Sequence, residues 1–209
     1  SARLKSQLRV FIAKHFFRNR YDYREEWLRL TRTLSDSNEL PLEERSLKAL
    51  CTMVGSNAGQ IWLDRAGRSV FEPYAAWQAP FPAGELTKSS PLVRFLQQTQ
   101  WVIDTRQYAR DPERYQHAFR DAPDSIPPNS LIFPLIHQNA MLAIVRLECG
   151  SDLRELNYED HDLLKTAGRQ VAALLAHDLA LDQLTAQRQF EAYNKLSAFV
   201  MHDLKNLLS

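Results

Sequence analysis

The stretch SLIFPLIHQNAMLAIVRLE, residues 130–148, decides the fold. It consists of two apolar runs separated by the polar segment HQNA, residues 137–140. Each run has the length of one strand, and both are far shorter than the roughly 18 residues that a membrane-spanning helix needs. The stretch therefore predicts a hairpin of two largely buried strands.

Before this hairpin the apolar residues recur first with helical and then with strand period. Residues 23–35 and 42–55 have helical spacing, and Gly55 stands where a helix C-cap is expected. Residues 59–77 then predict two strands around the turn DRAG, followed by a polar, proline-bearing connection at 79–91.

Short elements are predicted between that connection and the hairpin. Pro91 opens a predicted helix over residues 91–100, and WVIDT at 101–105 predicts a short strand. Four prolines and many charges lie within residues 106–130, which we expect to be a loop with room for one short helix.

After the hairpin, one helical signal continues from Asn157 to the last residue. Residues 169–209 contain neither Gly nor Pro, and a helix over 158–209 would be roughly 75 Å long. Asp178 and Arg188 interrupt its apolar stripe, but its length favours a dimeric coiled coil. The order of elements predicts an α+β fold, an antiparallel sheet flanked by helices.

Composition limits the classes of function. The formal net charge of +1 gives no general attraction to nucleic acid. Cys51 and Cys149 form no CxxC pair, which argues against a disulfide scaffold or a zinc site and for a reducing compartment. The six glycines form no phosphate loop, so this chain alone is expected neither to bind ATP by that route nor to be active.

Residues 1–24 are strongly basic, with seven Lys and Arg against the single acid Asp22. They could form an amphipathic helix packed on the domain, or a segment just inside a membrane, where such residues accumulate. Nucleic-acid binding ranks third because no recognised motif accompanies the charge.

Two stretches resemble a GAF domain. One is the hairpin, although the family usually has Gly near Ala143, and the other is LNYEDHDLLKTAGRQVAALLAHDL, residues 156–179, which is similar to the closing GAF helix. The resemblance implies a sensor domain over residues 25–182. GAF domains commonly hold a small ligand between the sheet and the connecting loops, whereas others bind nothing known, so whether this domain binds a ligand stays open. The identity of that ligand is unknown: the cyclic-nucleotide signature is absent, and neither cysteine belongs to a bilin-type Cys-His pair.

The segment AFVMHDLKNLLS, residues 198–209, resembles the H-box of sensor histidine kinases, although Leu207 replaces the usual Pro. The resemblance implies that His202 is the phosphoacceptor, Asp203 the general base and Asn206 a residue for dephosphorylating the response regulator. Residues 183–209 would be the signalling helix and the start of the dimerisation domain. The chain would form a homodimer, and ATP and Mg would be bound by a missing C-terminal domain.

Helical geometry agrees with this role for His202. At 100° per residue, His202 lies about 200° from Val200 and from Leu204, which belong to the apolar stripe. It is therefore expected to face solvent, where an ATP-bearing domain can reach it. The simpler interpretation is an exposed histidine beside a chance acid.

The other histidines show no metal-ligand spacing and are interpreted as surface or core residues: His15, His117, His137, His161 and His177.

The opening FIAKHFFRNRYDYREEWLRLTRTLS, residues 11–35, resembles the region before the GAF domain in PrsK-type sensor kinases of exopolysaccharide and PEP-CTERM sorting systems. This resemblance implies that the chain is the cytoplasmic portion of a bacterial inner-membrane protein. The alternative is a non-enzymatic GAF ligand-binding and dimerisation module of a transcription regulator.

Overall fold

A computed structural model describes residues 24–36, 40–115, 127–150 and 156–207, with side chains up to Met201. The chain divides into two compact units, residues 1–172 and 173–209. The basic segment at 1–23 lies outside the described residues.

The first unit begins with two helices, as the sequence predicts. Helix α1 covers residues 24–35, and α2 covers Leu42–Val54. Gly55 ends α2 in the left-handed conformation (φ 74°), and the capping backbone N–H groups donate to the carbonyls of Cys51 and Thr52. Only glycine adopts this conformation without a steric penalty, so the C-cap prediction is confirmed.

Six strands form one sheet in the order β3-β2-β1-β6-β5-β4, and each recorded pairing is antiparallel. The predicted pair around DRAG is β1 (Ala58–Asp64) and β2 (Val70–Trp77). The predicted hairpin is β5 (Ser130–His137) and β6 (Ala140–Glu148), which lie at the centre with β1. Its turn residues Gln138 and Asn139 both have positive φ, as a two-residue type I′ turn requires.

The short elements differ in part from the prediction. Strand β3 (Leu86–Thr87) lies within the stretch expected to be a connection, and β4 has only two residues, Ile103–Asp104. Helix α3 (Pro91–Thr99) begins at the predicted proline. The expected loop at 106–130 holds more helix than predicted, namely α4 (Thr105–Arg110) and a 3-10 helix (Pro112–Tyr115).

Helices cover the two faces of the sheet differently. Alternation along the strands sends Gly59, Phe133 and Leu147 to the face that carries α2 and the start of α5, the C-terminal helix. The opposite face carries α3 on an apolar cluster that includes Trp62, Phe71, Ile132 and Ile144. This second face is the one that the loops between β2 and α3 cross.

Helix α5 (Tyr158–Leu207) has 50 residues and is continuous, as predicted. In the first unit it buries Leu163, Leu164, Ala167 and Val171. In the second unit it carries large apolar side chains that are 47–68% exposed: Leu181, Leu184, Phe190, Tyr193, Leu196, Phe199, Val200 and Met201. No helix in the described ranges is long and apolar enough to cross a membrane.

Candidate functional site

A cavity of about 280 Å³ lies on the face of the sheet that carries α3. Its walls are mainly apolar, and one cation reaches it; the lining includes Trp62, Leu86, Leu92, Ile132, Ile144 and Arg146. Largely apolar walls with a few placed polar groups are typical of small-molecule sites, and the volume is near the lower end of their range.

The strand register brings Arg146 to this cavity. Arg146 of β6 lies directly opposite Gln60 of β1 and Ile132 of β5, so the three side chains share one face. Arg146 Nη1 donates to Gln60 Oε1 (3.1 Å), and Nε donates to Ser130 Oγ (3.0 Å). Arg146 Nη2 reaches Glu148 Oε1 only at 3.9 Å, beyond hydrogen-bond range, so this group can still donate to a bound anion.

Two side chains of β1 hold the loop between β2 and β3 against the sheet. Gln60 Nε2 donates to the carbonyl of Pro80 (2.7 Å), and Trp62 Nε1 donates to that of Gly84 (3.0 Å). Both side chains are almost fully buried. Because one end of Gln60 binds the loop and the other binds Arg146, the loop and the guanidinium are positioned together.

A buried carboxylate organises the edge of the sheet beside this network. Asp104 is fully buried and accepts from Arg106 Nε (3.0 Å) and Nη2 (2.7 Å). Its Oδ1 also accepts from the backbone N–H of Arg106, which caps α4. The next residue, Thr105, accepts at Oγ1 from the backbone N–H of Ser130 (2.9 Å), which joins α4 to the strand beside Arg146.

Both cysteines are buried free thiols, as expected for core residues. Burial raises the pKa of Cys51 to about 11, although a hydrogen bond with Ser56 acts in the opposite direction and lowers it. Burial likewise raises the pKa of Cys149 to about 11, while the charge of Arg106 opposes the shift. Both thiols are therefore neutral near pH 7, and neither has the thiolate character of a nucleophile.

The predicted catalytic residues lie near the end of α5. The helix extends through positions 202, 203 and 206, but the side chains of His202, Asp203 and Asn206 lie outside the described residues. Their proposed roles therefore stay predictions.

Three other histidines are described. His137 ends β5 beside the hairpin turn, and His161 and His177 lie on α5, whereas His15 and His117 are outside the described ranges. Among the residues with described side chains, no group of three or more His, Cys, Asp or Glu could hold a metal ion.

Sequence reasoning did not identify Gln60 and Arg146 as site residues. Each is a polar residue within an otherwise apolar strand segment, GQIWL for Gln60 and IVRLE for Arg146. A polar residue on a buried strand needs a hydrogen-bond partner, and that requirement is the signal that could have identified them.

Comparison with known proteins supports the same fold. A family model described as GAF domain matches residues 42–176. The GAF domain of a phosphoenolpyruvate-protein phosphotransferase from Coxiella burnetii superposes with a TM-score of 0.59 at 15% identity, covering 78% of this chain and 98% of that one.

Two further structures are similar. The GAF domain of the Acinetobacter phosphoenolpyruvate-protein phosphotransferase gives a TM-score of 0.54 at 13% identity and covers 75% and 95% of the two chains. Residues 122 to 287 of a methyl-accepting chemotaxis protein superpose with a TM-score of 0.53 at 18% identity, and the match covers 73% of this chain and 97% of that one. No curated protein sequence matches the chain.

Proposed function

This chain belongs to the GAF domain family, and on that premise we propose that it is the sensory and phosphoacceptor portion of a two-component sensor histidine kinase. One observation supports the proposal most strongly. Helix α5 begins at Tyr158, inside the family match, and continues without a break to Leu207, past the sequence HDLKN at 202–206. One helix thus joins the GAF domain to the sequence that we propose as the phosphoacceptor motif.

The proposed reaction is phosphoryl transfer from ATP to His202. A neutral imidazole nitrogen attacks the γ-phosphorus, the nitrogen–phosphorus bond forms, and the bond to the β-phosphate oxygen breaks to release ADP. Asp203 takes the imidazole proton or fixes the tautomer that leaves the attacking nitrogen unprotonated. ATP and Mg²⁺ are held by an ATP-binding domain outside this sequence, and the phosphoryl group passes to a response regulator.

The cavity beside Arg146 is the proposed sensory site. The cation in its lining, whose Nη2 lies 3.9 Å from Glu148 Oε1 and beyond hydrogen-bond range, and its apolar walls fit a carboxylate with a flat apolar body. Calorimetric titration with phenylacetate should give a binding signal that phenylacetamide, its uncharged isostere, does not. Arg146→Gln should abolish the difference; equal binding of both compounds would refute the carboxylate assignment.

We further propose that the protein is a PrsK-type kinase anchored in a bacterial inner membrane, with residues 1–24 next to the membrane on the cytoplasmic side. The basic composition of that segment and its similarity to the family support this assignment. Expression of the full-length protein followed by membrane fractionation tests it, because a membrane-free protein would contradict the anchor.

Substitutions that separate autophosphorylation from dephosphorylation of the regulator test the kinase assignment. In the full-length protein, Asp203→Asn should slow labelling from radioactive ATP by about 10² or more, the usual effect of losing a general base. Asn206→Ala should leave labelling largely intact and slow dephosphorylation of the regulator. Lys205→Ala, between these residues, is the control and should change neither rate. Equal effects of all three substitutions would oppose the assigned roles.

The second candidate is a non-enzymatic ligand-binding and dimerisation module of a transcription regulator. The same fold occurs in a methyl-accepting chemotaxis protein, whose name describes no kinase, at 18% identity. Ligand binding by the chain together with no phosphorylation of His202 in the full-length protein would select this candidate.

A further inference from the structure

A second cleft, of about 290 Å³, lies at the edge of the first unit beyond β4. The first two turns of α5 form one wall, and the α3–β4 connection with the 3-10 helix forms the other. The residues that line it are different from those that line the cavity beside Arg146.

His161 places an unpaired polar atom in this cleft. The start of α5 is fixed by reciprocal bonds, since Asp160 N donates to Asn157 Oδ1 and Asn157 N donates to Asp160 Oδ2, both at 2.9 Å. His161 follows directly, and its Nε2 is buried without a hydrogen-bond partner in the described part of the chain. Buried polar atoms are nearly always paired, so a ligand that accepts a hydrogen bond from His161 Nε2 would satisfy this atom.

Cations surround that atom from two elements. Arg114 lies on the 3-10 helix and Lys165 lies one turn after His161 on α5, while Asp162 is the acid in the lining. Burial, followed by the charges of Arg114 and Lys165, lowers the pKa of His161, so the imidazole is neutral at pH 7. A neutral imidazole can donate from Nε2 without adding a third charge.

Other groups in the cleft are already engaged or apolar. Tyr115 Oη lies within 3.3 Å of Gln107 Oε1 and within 3.4 Å of the Asp104 carbonyl. Trp101, 40% exposed, supplies a flat apolar wall and packs edge-on against Phe95. The groups left for a ligand are the positive charges of Arg114 and Lys165, the negative charge of Asp162 and the neutral donor of His161.

We propose that this cleft binds a small organic dianion, a dicarboxylate or a phosphate monoester, that pairs with Arg114 and Lys165 and accepts a hydrogen bond from His161 Nε2. Arg114 and Lys165 supply one positive charge for each charge of the ligand and outnumber the single acid Asp162, and the neutral donor fixes the orientation of the ligand. A bound dianion would connect the first turns of α5 to the 3-10 helix. This site goes beyond the proposed carboxylate sensor, and its test does not depend on kinase activity.

Calorimetric titration of the 209-residue chain with succinate and with glycerol 3-phosphate tests the proposal. At least one should bind, and whichever binds identifies the anion type; uncharged succinamide should not. His161→Ala and Arg114→Gln should each weaken binding about tenfold or more, as loss of a charged or buried hydrogen bond does. Arg114 is exposed, so its substitution is expected to leave the fold intact.

Two controls separate this cleft from general charge effects. Arg169→Gln removes one positive charge of α5 outside the cleft, and Arg146→Gln disables the other cavity; neither should change the affinity by more than about twofold. The proposal is overturned if neither dianion binds at concentrations on the order of 10 mM. It is also overturned if succinamide binds as tightly as the dianions, or if Arg169→Gln weakens binding as much as Arg114→Gln.

Discussion

Gly59 is a residue at which one methyl group decides stability. A Cβ added there would lie 2.9 Å from Leu147 Cδ2, 3.0 Å from Leu47 Cδ2 and 3.2 Å from Cys51 Sγ. These are closer than van der Waals contact, and the neighbours belong to both α2 and β6. The glycine is therefore needed for the helix to pack closely on the sheet.

Gly59→Ala should lower the free energy of unfolding by about 1–3 kcal/mol, the usual cost of overpacking a core. Gly150→Ala is the matched control, because an added Cβ there meets only Asn57 Nδ2 at 4.0 Å. Urea unfolding followed by circular dichroism measures both. Equal midpoints for Gly59→Ala and the parent would show that the neighbours move aside at no cost.

The cysteines give a prediction about pH. With pKa values of about 11, both thiols should react slowly with a disulfide reagent at pH 8, where about one thiol in a thousand is ionised. The rate should rise as the pH approaches 11, because the thiolate is the reactive form. Unfolded chain should react at both cysteines; rapid reaction of either thiol in the folded chain at pH 8 would contradict their burial.

At the scale of elements, the apolar stripe on α5 in the second unit predicts self-association. Tyr193, Leu196 and Val200 recur at helical spacing and are 47–68% exposed, and an exposed apolar stripe of this kind usually marks an interface. We expect a parallel dimer through these helices, in agreement with the homodimer that the resemblance at His202 implies.

Sedimentation equilibrium at micromolar concentration should show the dimer. Leu196→Glu should shift it toward monomer, because a buried unpaired charge is costly in an apolar interface. Ala198→Glu adds the same charge about 160° around the helix from Leu196 and Val200 and should leave association unchanged. A monomeric parent chain, or an equal effect of both substitutions, would count against the interface.

The regular elements could be predicted because their local signals agree with their tertiary environment. The hairpin over 130–148 has strand-length apolar runs and a polar turn, and α5 has a long run without Gly or Pro. Gly55 and Pro91 marked helix ends through backbone preferences that hold in isolation.

The short elements and the site could not be predicted in this way. Strands β3 and β4 have two residues each, so their existence depends on pairing with β2 and β5 and not on local propensity. The site beside Arg146 depends on which residues the register places opposite each other, and the cleft beside His161 depends on the approach of two distant elements. Both sites bring together residues that are far apart in the sequence, so neither can be recognised from a local pattern.

At the scale of the whole molecule, we propose that residues 178–200 transmit the signal. Asp178, Thr185 and Arg188 interrupt the apolar stripe, so two helix packings of similar energy could exchange, and ligand binding could favour one. Replacing Asp178 and Arg188 with Leu in the full-length kinase should lock one output state. Unchanged basal activity and unchanged response to ligand would refute this mechanism.

The measurement that tests the central claim most directly is phosphorylation of the full-length protein with radioactive ATP. His202→Ala should abolish the acid-labile, base-stable label expected for phosphorus on nitrogen, and the matched substitution His177→Ala on the same helix should leave it at the parent level. The circular dichroism of both variants should equal that of the parent, because His177 is exposed, His202 is expected to face solvent, and exposed substitutions usually change stability by less than about 0.5 kcal/mol. Acid-labile phosphate taken up by His202→Ala at the parent rate would contradict the account.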